Sequence, residues 1–358
     1  MKNKAIKTDI KQSFWSVKLL LILALVATAS FLVGSLFPIN SNRKTPSTTT
    51  LPAESKKLLY INPLLVVQDF RNQNTAELKN LEELIATTIS DLNKYDNSYL
   101  ESIFFQDLTN SKQISYNANE YFSPASLMKV PIMIALLKMS EEKPEIMVPK
   151  ITFLENREAI YTKRKASERN NTVLAKGISY SIFQLMEIMI SESDNEATIL
   201  LLDYLNSINS NYLDKVQRDL GLEIPDSVVY TEDFITVKKY SSFFRTLYNA
   251  SYLNDDHSEL ALAILKQSGY GFGIRQAIPV NVEIAHKYGH KLIREDFHEL
   301  HHFAVVYHPK KPFILGVMTK GKDLEKLKTL IASITKVVYN HVNDETRKTT
   351  TRLKRDLE

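Results

Sequence analysis

Apolar positions recur at helical spacing from Ala76 to Leu92, where Leu78, Leu81, Leu84, Ile85, Ile89 and Leu92 follow Thr75 as a possible N-cap. The run Ile103-Phe104-Phe105 within Tyr99–Leu108 reads as a buried strand. A turn at Asn110 and Ser111 and a short strand near Ile114–Asn117 complete a hairpin. From Ser126 to Leu205 the pattern is mainly helical, with Ile182, Leu185, Met186, Met189 and Ile190 on one face of Ser181–Ile190. Val282–His286, Phe303–Tyr307 and Phe313–Met318 then predict strands. A last helix carries Leu324, Leu327, Leu330, Ile331, Ile334 and Val338 in register. Helix, strands, a helical block, strands and a helix predict an α+β fold: an antiparallel sheet formed by both chain ends, flanked by helices, plus a mainly helical lobe.

Ahead of this domain, Leu19–Phe37 is a run of 19 uncharged residues, long enough for a bilayer core of about 30 Å. Lys2, Lys4, Lys7, Lys11 and Lys18 precede it, so the positive-inside bias keeps residues 1–18 cytoplasmic as a basic tail. The run is expected to be a single transmembrane helix that anchors the chain in the cell membrane. A cleaved signal peptide, with Ala27 and Ala29 at the cleavage site, is the competing reading. Both place the rest of the chain outside the cytoplasm. Residues 38–58, with two prolines and a threonine run within Asn40–Lys57, read as a flexible linker. Residues 59–342 form the domain, and residues 343–358 read as a charged C-terminal tail expected to fray.

The 358 residues carry 45 Lys+Arg against 41 Asp+Glu. The first 18 hold five lysines and one aspartate, so the remainder is balanced. That excludes a basic nucleic-acid-binding domain. Without a cysteine, disulfides, thiolate metal sites, cysteine nucleophiles and lipoprotein anchoring are excluded too.

The chemistry begins at Ser126-Leu127-Met128-Lys129, an S-x-x-K sequence after Pro124 at the start of a helical stretch. Residues three apart share a helix face, so Lys129 can reach the Ser126 hydroxyl. A lysine among apolar neighbours or near a second cation loses its proton more readily and can activate a serine. The signal is unspecific alone, since Ser41–Lys44 and Ser333–Lys336 repeat it. Order makes it specific. Ser193-Asp194-Asn195 follows sixty-seven residues after Ser126, and Lys287-Tyr288-Gly289 ninety-four residues after Ser193. S-x-x-K, S-D-N and K-T-G are the motif set of class A β-lactamases and penicillin-binding proteins. The chain resembles that superfamily from Leu59 to about Val342, through YFSPASLMKVPIMIALL, ISESDNEATILLL, GIRQAIP and HFAVVYHP.

The resemblance, to exported class A-like serine hydrolases in particular, implies a serine hydrolase that needs no cofactor and acts on a small molecule or peptide, cell-wall peptidoglycan included; the Leu19–Phe37 run adds the membrane anchor. Ser126 would be acylated and Lys129 would be its base or proton relay. Ser193 would shuttle the proton beside Lys287, and Asn195 would bind the substrate amide. The backbone N–H groups of Ser126 and His290 would form the oxyanion hole. Gly289 would let an extended substrate lie against the strand edge.

Two departures stand out. Tyr288 occupies the place where the family usually has Thr or Ser to bind a substrate carboxylate, and its hydroxyl reaches about 6 Å farther. The Glu with Asn four residues on, which deacylates class A enzymes, is missing from RDLGLEIPDSVVYTEDFITVKKYSSFF, where Glu223, Glu232 and Asp233 stand without it. An acyl-enzyme is then expected to persist. A rival reading takes six histidines within residues 286–308 and builds a zinc site from His298, His301 and His302. The alternative to zinc is a polar connection and strand faces near the sheet edge. Efficient β-lactam hydrolysis and a catalytically silent binding domain remain alternatives to the acyl-enzyme hydrolase.

Overall fold

The computed structural model describes residues 59–61, 76–93, 99–155, 172–222, 233–294 and 296–355. All of them fall within one compact unit, Lys57–Glu358. The basic tail, the Leu19–Phe37 run and the linker lie outside the described residues. Among the described residues, no helix is long and apolar enough to cross a membrane.

The described elements begin with α1 (Ala76–Asn93), followed by the hairpin β1 (Leu100–Asp107) and β2 (Gln113–Tyr116). A single 3-10 turn, Ala125–Met128, runs directly into α2 (Lys129–Glu142). Two short strands, β3 (Lys150–Thr152) and β4 (Ser179–Ser181), pair with one another. The helical lobe continues through α3 (Ile182–Ser191), α4 (Asn195–Ile208), α5 (Tyr212–Asp219), α6 (Val237–Tyr248) and α7 (Asp255–Lys266). One turn, α8 (Ile274–Ala277), leads into β5 (Ile284–Arg294), β6 (Phe297–Val306) and β7 (Phe313–Gly321), and α9 (Leu324–Arg355) closes the chain.

The five-stranded sheet has the order β2-β1-β7-β6-β5, and every pairing in it is antiparallel. The first and last strands of the domain are therefore neighbours at its centre, as the element order predicts. Alternation along the strands separates two cores. Ile103, Phe105, Leu315 and Val317 face α1 and α9, where Leu81, Ile85, Ile331 and Ile334 meet them. Phe104, Phe303, Ile314 and Met318 face the helical lobe. In α1 the buried stripe is Leu78, Leu81, Ile85 and Ile89, whereas Leu84 and Leu92 point outward. Helix α2 is apolar all round from Val130 to Leu137 and buried all round, as a central helix must be.

The charged C-terminal stretch differs from the frayed tail expected of it. Helix α9 continues as far as Arg355, and its buried stripe extends through Val342. The β3–β4 pair lies inside a stretch whose apolar pattern predicts helix. Arg275 secures the approach to β5 by donating to the carbonyls of Ile278 (2.7 Å), Pro279 (2.7 Å) and Val282 (3.0 Å).

Candidate active site

Three chain segments meet beside the edge strand β5. The first is the 3-10 turn carrying Ser126. Its preceding residue, Ala125, takes φ +48, a left-handed conformation that costs a residue with a Cβ about 1–2 kcal/mol. The turn is closed by Leu127 N–H donating to the Pro124 carbonyl (2.9 Å) and held from behind by the buried Tyr240 hydroxyl donating to the Leu127 carbonyl (2.7 Å). Ser126 is half-buried, and among the described residues its hydroxyl makes no hydrogen bond.

The second segment joins α3 to α4. Ser181 and Gln184 form a reciprocal capping box that starts α3. Asp194 caps α4 by accepting from Ala197 N–H (2.9 Å), while its other oxygen accepts from the Thr172 hydroxyl (2.7 Å) and Val173 N–H (2.9 Å). The aspartate of the S-D-N sequence is thus a structural cap. It holds Ser193, at φ +55, and Asn195 on either side of the helix start.

The third segment is β5 itself. A Cβ on Gly289 would stand 2.9 Å from the Pro124 carbonyl oxygen and 3.2 Å from Leu127 N, so only glycine lets the strand approach the Ser126 turn this closely.

Their side chains converge on the Ser193 hydroxyl. Lys129 Nζ donates to it (3.2 Å), to the Ser193 carbonyl (2.5 Å) and to Asn195 Oδ1 (2.7 Å). Lys287 Nζ donates to the same hydroxyl (2.8 Å) and to the Tyr288 carbonyl (3.2 Å). Lys129 is 3% exposed and Lys287 0%, so both amines are withdrawn from water. Burial holds the Lys287 ammonium well below the usual lysine range, and the Lys129 charge adds to the effect. The hydroxyl of Ser193, rather than that of Ser126, is the bonded hub. Ser126 lies on the turn that runs directly into Lys129.

Tyr288 does not extend outward into the groove. Its ring lies between the Lys287 ammonium, 4.5 Å from the centroid, and the Tyr270 ring, stacked at 3.8 Å and 13°. Its hydroxyl comes near enough to Ser193 to feel that hydroxyl, although burial dominates and pushes the phenol up. Behind this stack, Ile274 N–H donates to His302 Nδ1 (3.1 Å), which leaves the His302 proton on Nε2 to reach His286 Nδ1 (2.9 Å). Burial keeps both rings neutral, with His286 brought down to about 3. His290 lies exposed on the same strand face, its Nε2 3.1 Å from His298 Nδ1.

The geometry does not favour zinc on His298, His301 and His302: all three lie on β6, on strand faces near the sheet edge and not in a connection, and His301 and His302, adjacent on the strand, face opposite sides of the sheet. Among the described residues, no group of three His, Cys, Asp or Glu side chains is placed to hold a metal ion. Of the carboxylates in the stretch that lacks the Glu/Asn pair, Glu223 and Glu232 lie outside the described residues. Asp233 is paired with Lys320, whose Nζ also contacts Glu299 (3.2 Å).

Two buried lysines bonded to one serine hydroxyl, beside a turn with a left-handed residue at the edge of an antiparallel sheet, fit the serine-hydrolase superfamily that includes β-lactamases and penicillin-binding proteins. The description "Beta-lactamase enzyme family" matches residues 80–342, and the chain belongs to that family. Its fold is similar to the β-lactamase from Sphaerobacter thermophilus DSM 20745 (18% identity, TM-score 0.59, 72% of this chain and 95% of that one). It is also similar to a class A β-lactamase from Mycobacterium abscessus (19%, 0.58, 73% and 98%) and to the penicillin-binding protein PBP-A (18%, 0.56, 75% and 97%). No curated protein matches the chain by sequence.

Proposed function

We propose that the protein is an extracytoplasmic serine hydrolase or acyltransferase that works through an acyl-enzyme on Ser126, with an amide or ester of a cell-wall peptide as its substrate. The observation that carries this reading is the Ser193 hydroxyl bonded to both Lys129 Nζ and Lys287 Nζ. Two buried amines so close cannot both keep a proton cheaply, so one neutral amine is available at ordinary pH. In the forward step the Ser126 oxygen bonds to the substrate carbonyl carbon and its proton passes to Lys129. Ser193 then carries a proton to the leaving nitrogen or oxygen as that bond breaks. Donors on the backbone at Ser126 and His290 would take the developing oxyanion.

The substrate is not recognised through a small terminal carboxylate. Tyr288 stands where a short hydroxyl would bind one, and its ring is already engaged by the Tyr270 stack and the Lys287 ammonium. Penicillin is accordingly a poor substrate. Any penicilloyl-enzyme that forms should be long-lived, since Asp233 is held by Lys320 and the Glu/Asn pair is missing. A neighbour of the same fold, PBP-A carrying L158E, forms an acyl-enzyme complex with penicillin G. Location outside the cytoplasm is supported by the Leu19–Phe37 run after five lysines.

Intact-mass spectrometry after exposure to a fluorophosphonate and to penicillin tests the reading. A single adduct lost in Ser126→Ala supports it, and rapid multiple-turnover penicillin hydrolysis refutes the substrate assignment. Tyr288 also favours a second reading, a silent domain that only binds wall material. Absence of any adduct on the intact chain would favour that domain over the enzyme.

A further inference from the structure

The main chain enters the nucleophile turn through Ser123, and each of its three polar groups is held by a different side chain of the β5–β6 ribbon. Its carbonyl accepts from His301 Nε2 (2.9 Å), its hydroxyl accepts from Lys291 Nζ (3.1 Å), and its N–H donates to Glu299 Oε1 (3.3 Å). Lys291 and Glu299 are cross-strand partners, and His301 lies two residues farther along β6 on the same face. Ser123, Glu299 and His301 are all buried. Thr319 N–H approaches His301 Nδ1 (3.4 Å), and Phe122 meets the imidazole edge-on at 5.3 Å, so the ring is fixed with its proton on Nε2.

A residue held at three points cannot rotate, and the constraint falls where it matters. Two positions on, Ala125 carries the left-handed φ of +48, and such a turn relaxes unless both of its flanks are held. Tyr240 holds the downstream flank through the Leu127 carbonyl. Ser123 is the upstream flank. Stability alone does not account for the arrangement, because a carboxylate and an imidazole buried here are less favourable than apolar side chains of the same size.

We propose that His301 is a positioning residue for Ser126: through the Ser123 carbonyl it holds the strained turn that aims the Ser126 hydroxyl, and Lys291 and Glu299 complete the mount. The inference rests on Ser126 being the nucleophile. His301 touches neither substrate nor the reacting atoms, so its effect belongs in the maximal acylation rate and not in the concentration of half-saturation.

The test is fluorophosphonate labelling of the full chain, resolved into maximal rate and half-saturation, for wild type, His301→Gln and His301→Met. Glutamine places an N–H where Nε2 stood, whereas methionine fills the volume without a donor. The expected result is a maximal rate at least tenfold lower in His301→Met and within threefold of wild type in His301→Gln, with half-saturation and melting temperature little changed in both. A wild-type rate in His301→Met, or equal losses in the two variants, overturns the proposal. Wild type that takes no label at all instead removes the Ser126 reading, and this inference falls with it. Should His301→Met not fold, Ser123→Ala removes the hydroxyl contact and leaves the Ser123 carbonyl and N–H contacts in place. A three- to tenfold slower rate at unchanged melting temperature then supports the mount, and a wild-type rate overturns it.

Discussion

Replacing Gly289 by alanine measures how closely the edge strand must approach the nucleophile turn. The new Cβ would stand 2.9 Å from the Pro124 carbonyl oxygen, 3.0 Å from Leu127 Cγ and 3.2 Å from Leu127 N. Comfortable contact begins near 3.5 Å, so the methyl group intrudes by about half an ångström. Leu127 Cγ can yield by a small rotation. The carbonyl and the amide cannot, because the hydrogen bond between them closes the turn. The strand must therefore move outward, taking Lys287 and the His290 backbone with it. Overpacking against rigid atoms costs about 1–3 kcal/mol, which lowers the melting temperature of a domain this size by a few degrees. A misplacement of about 1 Å near reacting groups costs about a hundredfold in rate, so half that shift predicts roughly tenfold slower acylation of Ser126. Labelling by a fluorophosphonate, followed by intact mass, reads the rate, and a thermal melt reads the stability. A Gly289→Ala protein that labels as fast as wild type would refute the close-approach argument.

Lys287→Met should raise the melting temperature at pH 7 while reducing labelling at least a hundredfold. The folded-state value of Lys287 lies well below its unfolded one, so the unfolded chain binds the extra proton and the native lysine is destabilising until pH approaches 10.5. A melting temperature that falls in the variant would contradict this. His286 and His301 are both brought down to about 3 by burial. Their unfolded forms charge first, so stability present above about pH 6.5 is lost as pH falls toward 3, by about 2 kcal/mol per histidine at pH 5. Urea midpoints at pH 8 and pH 5 should converge in His301→Gln relative to wild type, and an unchanged pH slope would count against the assignment. Tyr288→Thr should restore a short hydroxyl and speed penicillin acylation at least tenfold, while losing the Tyr270 stack at about 1 kcal/mol. Unaltered penicillin reactivity would show that the tyrosine does not set the specificity.

The elements whose two sides differ were legible from the pattern of residues. Helices α1, α3 and α9 appear where the apolar spacing puts them, because one face of each is buried and the other is wet, while β1 shows as an unbroken apolar run buried on both faces and followed by a turn. The three sequence motifs of the candidate site were legible for a related reason: each is a short local geometry, a turn, a cap or a strand edge, that needs particular residue types. What stayed hidden comes from pairings between distant segments. The polar stretch of β6, with His298, Glu299, His301 and His302, does not alternate in hydropathy. One of its faces mounts Ser123 and the other backs the Tyr270–Tyr288 stack. Tyr270 itself carried no signal, since an aromatic residue in a loop reads as ordinary surface. Nor could the serine sequence show that Ser126 lies on a 3-10 turn with a left-handed residue before it, as Ala125 has no intrinsic preference for that conformation.

Strand β1 is flanked by β2, which follows it at once, and by β7, which arrives about 200 residues later. Until β7 emerges, the hairpin presents an open edge, and the β5–β6 ribbon that carries Lys287 has no neighbour to join it to that hairpin. A growing polypeptide consequently cannot assemble a working centre piecemeal. On the proposed reading the site is complete only after synthesis has passed Gly321, and a chain cut between Lys287 and Gly321 carries the serine and both lysines without the sheet that seats them.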